Sequence, residues 1–186
     1  EVYEHLGYDG LQHHSVLAHP QLYGRAVVVS SFGKSFHVTG WKTGYLVAPP
    51  ALSAEIRKVH QYVSFCAPTP LQWALVDFMQ QHPEHVEELA AFYQAKRDRL
   101  CAVLADSRFS FAPAAGTYFQ LVDYSAIRDD LDDVAMARWL TEEKGIATIP
   151  LSVFYQNPPE GQRWLRLCFA KTAETLDRAG ELLCKI

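Results

Sequence analysis

The sequence predicts an α/β chain in parts, and three observations carry that reading. Two apolar runs, Val27-Val28-Val29 and Tyr45-Leu46-Val47-Ala48, flank a loop rich in Gly, Ser, Lys and Thr. Consecutive rather than alternating apolar residues read as strands buried on both faces. A long 3.6-residue period from Pro83 to about Ala105, carried by Val86, Leu89, Phe92, Tyr93, Leu100, Val103 and Leu104, reads as one helix able to connect two domains. From Phe109 the order becomes strand, strand, helix, strand, strand, helix, which makes a small α+β unit. The predicted organisation is therefore a first domain over 1–80, a connecting helix over 81–105 and a second domain over 106–186.

Residues 1–24 read mostly as loop, with Glu1-Val2-Tyr3 a possible strand end. Arg25 to Ser30 and Thr43 to Ala48 are the two buried strands, the second stopped by Pro49-Pro50. Ser53 is placed to cap a helix to about Val63, with Glu55 in its first turn. Thr69 is placed to cap the next helix, with Pro70 at the first position, as far as about Gln80. Glu84, Glu87 and Glu88 favour the start of the long helix, where the dipole stabilises anions. Phe109 to Ala112 and Thr117 to Val122 read as strands separated by Pro113-Ala114-Ala115-Gly116. Asp132 caps a helix that Gly145 ends after Lys144, Ile146 to Ile149 and Trp164 to Phe169 are strands, and Thr172 opens a terminal helix.

Composition narrows the classes. With 49% hydrophobic and 20% charged residues the chain has ordinary globular make-up. A net charge of −4 gives no reason to expect nucleic acid or a membrane surface as partner. No apolar run approaches the roughly 18 residues of a membrane span. Cys66, Cys101, Cys168 and Cys184 are widely spaced without a CxxC pair, which argues against a zinc ribbon. Cys101, Cys168 and Cys184 stand in apolar contexts and are expected to be buried thiols, and reduced cysteines fit a cytoplasmic location. His5, His13, His14 and His19 invite a metal, but no carboxylate-supported ligand spacing recurs, and solvated loop histidines are expected.

The chemistry centres on Ser31-Phe32-Gly33-Lys34-Ser35-Phe36-His37-Val38-Thr39-Gly40-Trp41-Lys42-Thr43-Gly44. One alternative is a turn with exposed lysines. The other is a lysine whose amine forms a Schiff base, beside an anion cradle. Such an amine must be deprotonated near neutrality and held in place; Gly33 allows close backbone approach, and the neighbouring Lys42 disfavours a second positive charge. Ser31 and Lys42 offer a hydroxyl and a cation to one phosphate. A phosphorylated aldehyde uses both features, and pyridoxal phosphate (PLP) is the common one. Arg166, among Leu165, Leu167, Cys168 and Phe169, needs a partner if it is buried. Either it pairs with an acid of the fold or it clamps a substrate carboxylate. Tyr3 and Tyr118 are weaker candidates, each open to a plain packing role; Gly116-Thr117-Tyr118 is a turn entering a strand that can present a phenol to a cleft.

The lysine segment closely resembles the cofactor-lysine motif of the class I/II aminotransferases of PLP fold type I. The resemblance runs along the whole chain, through Glu1-Val2-Tyr3-Glu4, His60-Gln61, Pro68-Thr69, Gly116-Thr117-Tyr118-Phe119, Ile149-Pro150-Leu151-Ser152-Val153-Phe154-Tyr155 and Leu165-Arg166-Leu167-Cys168-Phe169. It is nearest to the methionine and kynurenine (glutamine-transaminase-K-like) branch. It implies an α/β fold made of the C-terminal part of the PLP-dependent transferase large domain plus the small C-terminal α+β domain. By position, it implies that Lys34 is the Schiff-base lysine and acid–base catalyst, that Tyr3 bonds the pyridoxal phenolic oxygen, and that Ser31 and Lys42 hold the phosphate. It implies further that Arg166 binds the substrate α-carboxylate, with Tyr118 beside the substrate, and that Phe65 enters the neighbouring subunit's site in a homodimer.

The implied reaction moves an amino group from a neutral or aromatic amino acid to a 2-oxo acid. A PLP-dependent C–S β-lyase would use the same lysine, phosphate site and arginine. A non-catalytic aminotransferase-like effector domain of a regulator is the other alternative. Many relatives carry Arg where Lys42 stands, although the kynurenine-type branch also uses Lys. Most carry a small or aliphatic residue at His37, which either tunes the site or faces the outside of the loop. Family members are about twice this length, and the acid paired with the pyridine nitrogen normally stands just before the Glu-Val-Tyr-Glu run. The resemblance therefore implies a C-terminal half that is inactive by itself.

Overall fold

A computed structural model describes all of residues 1–186. They divide into two compact units, Glu1–Ala90 and Ala91–Ile186.

In the first unit, residues 2–5 form a turn rather than the expected strand end. The Leu6 N–H returns to the Tyr3 carbonyl at 2.9 Å, which closes the chain locally and leaves no extended ladder partner. A 3₁₀ turn (Val16–Ala18) and a single helical turn, α1 (Pro20–Tyr23), follow. Strand β1 (Val28–Ser31) runs into one helical turn, α2 (Phe32–Ser35), then a 3₁₀ turn (Thr39–Trp41) and strand β2 (Gly44–Val47). The two strands form an antiparallel ribbon in the register Val28↔Val47 to Ser31↔Gly44. The expectation of doubly buried strands fails here. In β1 burial alternates, with Val28 and Ser30 in and Val29 52% exposed, while Tyr45 and Leu46 of β2 are also exposed. Val29 and Leu46 pair on the open face of the ribbon, while Tyr45, paired with buried Ser30 on the other face, is itself 36% exposed.

Helix α3 (Pro50–Val63) begins three residues before the expected cap. Proline has no N–H to lose and suits the first helical position, so Pro50 starts the helix and Ser53 falls inside it. The Ser53 hydroxyl donates instead to the Ala48 carbonyl at 2.9 Å, and Glu55 belongs to the second turn. Helix α4 (Thr69–Gln81) likewise takes Thr69 into its first turn, with Pro68 at the cap position and no side-chain cap.

Helix α5 (Glu84–Leu104) is the long helix the apolar period predicts, with Glu84 and Glu87 in its first turn. The boundary between the units falls within it. The second unit is built on a three-stranded antiparallel sheet, in the order β3 (Phe119–Asp123), β5 (Trp164–Cys168), β4 (Ile149–Pro150). Its helices are the C-terminal part of α5, α6 (Asp133–Lys144) and α7 (Ala173–Leu183). The core gathers Leu100, Leu104, Val122, Met136, Leu140, Leu165, Phe169, Leu176 and Leu183.

Two expected strands shrink. Phe109–Ala112 supplies one bridge, Ser110 to Asp123, because the amide of buried Gln120 occupies the neighbouring backbone groups: it donates to the Ala112 carbonyl at 2.7 Å and accepts the Ala114 N–H at 2.9 Å. Of the expected Ile146–Ile149 strand only Ile149 joins β4 (Ile149–Pro150); the Ile146 N–H is taken by the Leu140 carbonyl at the end of α6, at 3.0 Å. The expected caps of this unit are all present. The Asp132 carboxylate accepts the Ala135 N–H at 2.7 Å, Gly145 takes a left-handed φ of 70° at the end of α6, and the Thr172 hydroxyl accepts the Thr175 N–H.

The cysteines are less buried than their apolar neighbours suggested. Cys168 is exposed because strand alternation puts Leu165, Leu167 and Phe169 inward and Trp164, Arg166 and Cys168 outward. Cys184 is exposed at the end of α7, its thiol on the Val103 carbonyl, and Cys101 is half-buried. Burial pushes the Cys101 thiol up.

Candidate functional site

The lysine of interest sits where β1 turns into a single helical turn. Ser31 ends β1, and Lys34 lies in the last positions of α2. The turn is tight because Gly33 packs on the backbone that returns after it. A Cβ on Gly33 would stand 3.0 Å from the Thr39 Cα and 3.2 Å from the Val38 carbonyl oxygen. It would also lie 3.3 Å from the Ser31 hydroxyl oxygen, which therefore faces the inside of the turn. Ser31 does not spend that hydroxyl on capping α2. The Thr39 hydroxyl closes the loop from the other side, donating to the Gly33 carbonyl at 3.3 Å.

Lys42 ends the 3₁₀ turn in the left-handed region at φ 55° and is exposed. Buried Thr43 follows, its hydroxyl on the Trp41 carbonyl, and Gly44 enters β2. A Cβ at Gly44 would lie 2.3 Å from the Ser30 carbonyl oxygen, so only glycine allows the strand to approach there. Ser31, Lys34 and Lys42 thus occupy one compact loop, and neither lysine is engaged by an acid of the chain.

Two further contacts fix this loop. His85, near the start of α5, donates from Nε2 to the carbonyl of buried Ser35 at 2.7 Å. Its ring stacks on Phe36 at 5.3 Å and meets Phe78 edge-on. His37, with φ 58°, is exposed and meets His85 edge-on at 5.4 Å. Glu4 ties the turn containing Tyr3 to the ribbon. Its carboxylate accepts the hydroxyl of buried Ser30 in a short bond and the Tyr45 hydroxyl at 2.6 Å. Burial and the bond to Glu4 push the Tyr45 phenol up. Tyr3 is therefore held next to the strand that presents Ser31. Phe65 lies on the turn after α3, at φ 64° and 76% exposed.

In the second unit Arg166 corrects the expectation of a guanidinium embedded in an apolar strand. It points away from Leu165 and Leu167, on the half-exposed face of β5. It makes no ion pair with an acid of the chain; two rings hold it instead, Phe119 at 4.7 Å and Phe154 at 5.1 Å. The aromatic faces attract the cation and leave the guanidinium N–H edge for a planar anion. Tyr118 precedes β3, half-buried, its ring 6.0 Å from Tyr93. Burial, helped by Tyr118 and Cys168, pushes the Tyr93 phenol up to about 12.

Sequence reasoning missed Phe119, Phe154, Glu4 and His85. Phe119 was within reach of it: β3 pairs Leu121 with Arg166, so alternation puts Phe119 diagonally beside the arginine on the same face. The other three depend on contacts between distant parts of the chain.

Residues 1–183 match the family described as aminotransferase class I and II, and the chain belongs to that family. It is 56% identical over 183 residues to the methionine aminotransferase of Escherichia coli, covering 98% of this chain and 47% of that protein. It is 36% identical to the kynurenine–oxoglutarate transaminase of Dictyostelium discoideum, covering all of this chain and 47% of the other. Among solved structures, a methionine aminotransferase from Escherichia coli superposes with a TM-score of 0.94 at 55% identity, over 100% of this chain and 48% of that one. N-succinyldiaminopimelate aminotransferase from Mycobacterium tuberculosis gives 0.91 at 33% identity, with the same coverage. The fold is thus the α/β fold of these enzymes, and the chain spans about half the length of the relatives it matches. No helix is long and apolar enough to cross a membrane.

Proposed function

We propose that this chain supplies the lysine, phosphate and carboxylate sites of a PLP-dependent aminotransferase, a cytoplasmic homodimer that moves amino groups from neutral or aromatic amino acids to 2-oxo acids. The observation that carries this reading is the loop itself. Two lysines without acid partners and an uncommitted serine hydroxyl share one glycine-tightened turn, a donor set that fits a phosphorylated aldehyde. The 56% identity to a methionine aminotransferase supports the same substrate class.

In this reading the Ser31 hydroxyl and the Lys42 ammonium hold the phosphate, and the Tyr3 phenol donates to the phenolic oxygen of the ring. When bound, PLP supplies an aldehyde that condenses with amines and a ring that takes up the electron pair left by the α-proton. The Lys34 amine anchors the cofactor at rest and carries the proton at the substrate α-carbon during turnover. Arg166 grips the α-carboxylate through its N–H edge while Phe119 and Phe154 fix the guanidinium plane. Tyr118 borders the bound substrate, and Phe65 reaches the site of the second subunit.

Borohydride reduction in the presence of PLP, followed by peptide mass spectrometry, tests the cofactor site. The pyridoxyl adduct should fall on Lys34 and vanish in Lys34→Ala; an undiminished adduct elsewhere would overturn the assignment. For the reaction, 2-oxo acid formed from methionine is expected. Pyruvate and ammonia from cystathionine, without amino-group exchange, would make the protein a C–S lyase instead.

A further inference from the structure

Asp133 is among the most buried charged side chains of the molecule, 3% exposed. It occupies the first position of α6, but it does not cap that helix, because the neighbouring Asp132 does. Its carboxylate is turned to Ser152 instead. Oδ2 accepts the Ser152 N–H at 2.6 Å, and Oδ1 accepts the Ser152 hydroxyl at 2.7 Å. A buried carboxylate is costly unless such bonds satisfy it, and the positive end of α6 adds to their effect.

Ser152 opens the 3₁₀ turn Ser152–Phe154, which follows β4 after Leu151. Ile149 of β4 pairs with Arg166 of β5, so the turn returns over the strand that carries the arginine. Phe154, in this turn, is 58% exposed yet lies 5.1 Å from the Arg166 guanidinium. Core packing does not fix a ring exposed to that extent. Its position follows from the turn's own bonds, Phe154 N–H to Leu151 and Tyr155 N–H to Ser152, and from what anchors the turn. Two things anchor it: the Leu151 N–H, which reaches the Trp164 carbonyl of β5 at 3.3 Å, and Asp133, which holds both the N–H and the hydroxyl of Ser152.

We infer that Asp133 is a positioning residue for substrate-carboxylate binding: through Ser152 it sets Phe154 against Arg166 and fixes the plane of the guanidinium. The inference rests on the assignment of Arg166 to the α-carboxylate. Asp133 touches neither substrate nor cofactor and acts only through the turn.

The test uses Asp133→Asn, Ser152→Ala, Phe154→Leu and the double variant D133N/F154L in the complete enzyme. Substrate affinity is read from the KM for L-methionine, and the ring contact from the Arg166 Nε–H resonance, which ring currents shift. Loss of one such hydrogen bond corresponds to about a fivefold effect on a dependent equilibrium. Asp133→Asn and Phe154→Leu should each raise KM by about fivefold with kcat within about twofold, and each should move the Nε–H resonance. The double variant should be no worse than F154L alone, since both changes act through one ring. Ser152→Ala keeps the backbone bond and should shift KM in the same direction by less; it tests the inference if Asp133→Asn does not fold. Additive effects of D133N and F154L, or a lower Tm with KM and the resonance unmoved, would make Asp133 a structural residue only. Arg166→Ala with unchanged KM would refute the carboxylate assignment itself, and the resonance in D133N would then decide the positioning alone.

Discussion

The two units differ in how they spend their apolar side chains. In the second, the sheet β3–β5–β4 has an inner face closed by helices, and Val122, Leu165, Leu167 and Phe169 are buried on it. In the first, the buried apolar residues are Leu6, Tyr8, Val28, Leu75 and Leu89, while Val27, Val29, Leu46, Val59, Tyr62, Val63, Phe65 and Trp73 are exposed. The difference teaches that similar apolar strands reach different fates according to the layers around them. A sheet with helices packed on one face makes a core; a ribbon of two strands buries alternate residues and presents the rest.

The contrast can be broken by mutation. The largest effect is expected at Leu165, fully buried in β5: Leu165→Ala should cost about 3–4 kcal/mol in urea unfolding, whereas Val29→Ala, on the open face of the ribbon, should cost less than about 1 kcal/mol. Equal costs would mean that the ribbon is as well packed as the sheet. Next comes Gly180 of α7, where an added Cβ would lie 2.1 Å from the Val103 methyl. Gly180→Ala should therefore destabilise the second unit by about 1–3 kcal/mol despite alanine's better helix propensity, as calorimetry would show. Smaller still is the cap of α6: Asp132→Ala should lose about 1 kcal/mol, measurable by chemical denaturation.

The last prediction concerns pH and the first unit. The Glu1 carboxylate accepts from the His13 ring at 2.8 Å and from the Val16 N–H at 3.0 Å, and these bonds, the His13 contact first, lower its pKa from 4.5 to about 2. A depressed acid stabilises the fold above its unfolded pKa and releases that contribution as pH falls through the folded value. The 1–16 segment should therefore keep its hydrogen-exchange protection above about pH 4.5 and lose it towards pH 2. A Glu1 carboxyl titrating at its ordinary value in an NMR experiment would contradict this.

How far the sequence was legible depends on the reach of each interaction. Asp132, Gly145 and Thr172 were readable because a cap acts within about one turn of its own residue. Ser53 misled because Pro50 is an equally local start signal and came first. Cys168 misled because its neighbours in sequence are apolar while strand alternation turns it to the outer face of β5. The lysine loop was legible as a density of Lys, Ser, Thr and Gly between two apolar runs, and Arg166 as a cation that demanded a partner. The nature of that partner was not legible, since an acid and a pair of rings satisfy the same demand.

By itself, then, the sequence determined the order of the elements, most helix ends and the residue types of the candidate site, because these depend on residue type and on spacings of a few residues. Tertiary structure alone decided which faces are covered, what holds Arg166 and what the Asp133 carboxylate bonds. The Ser35 carbonyl meets His85 across 50 residues, and the Asp133 carboxylate meets Ser152 across 19. Such contacts exist only once the folded chain has offset the entropy of bringing distant segments together. No local pattern around either partner records the other.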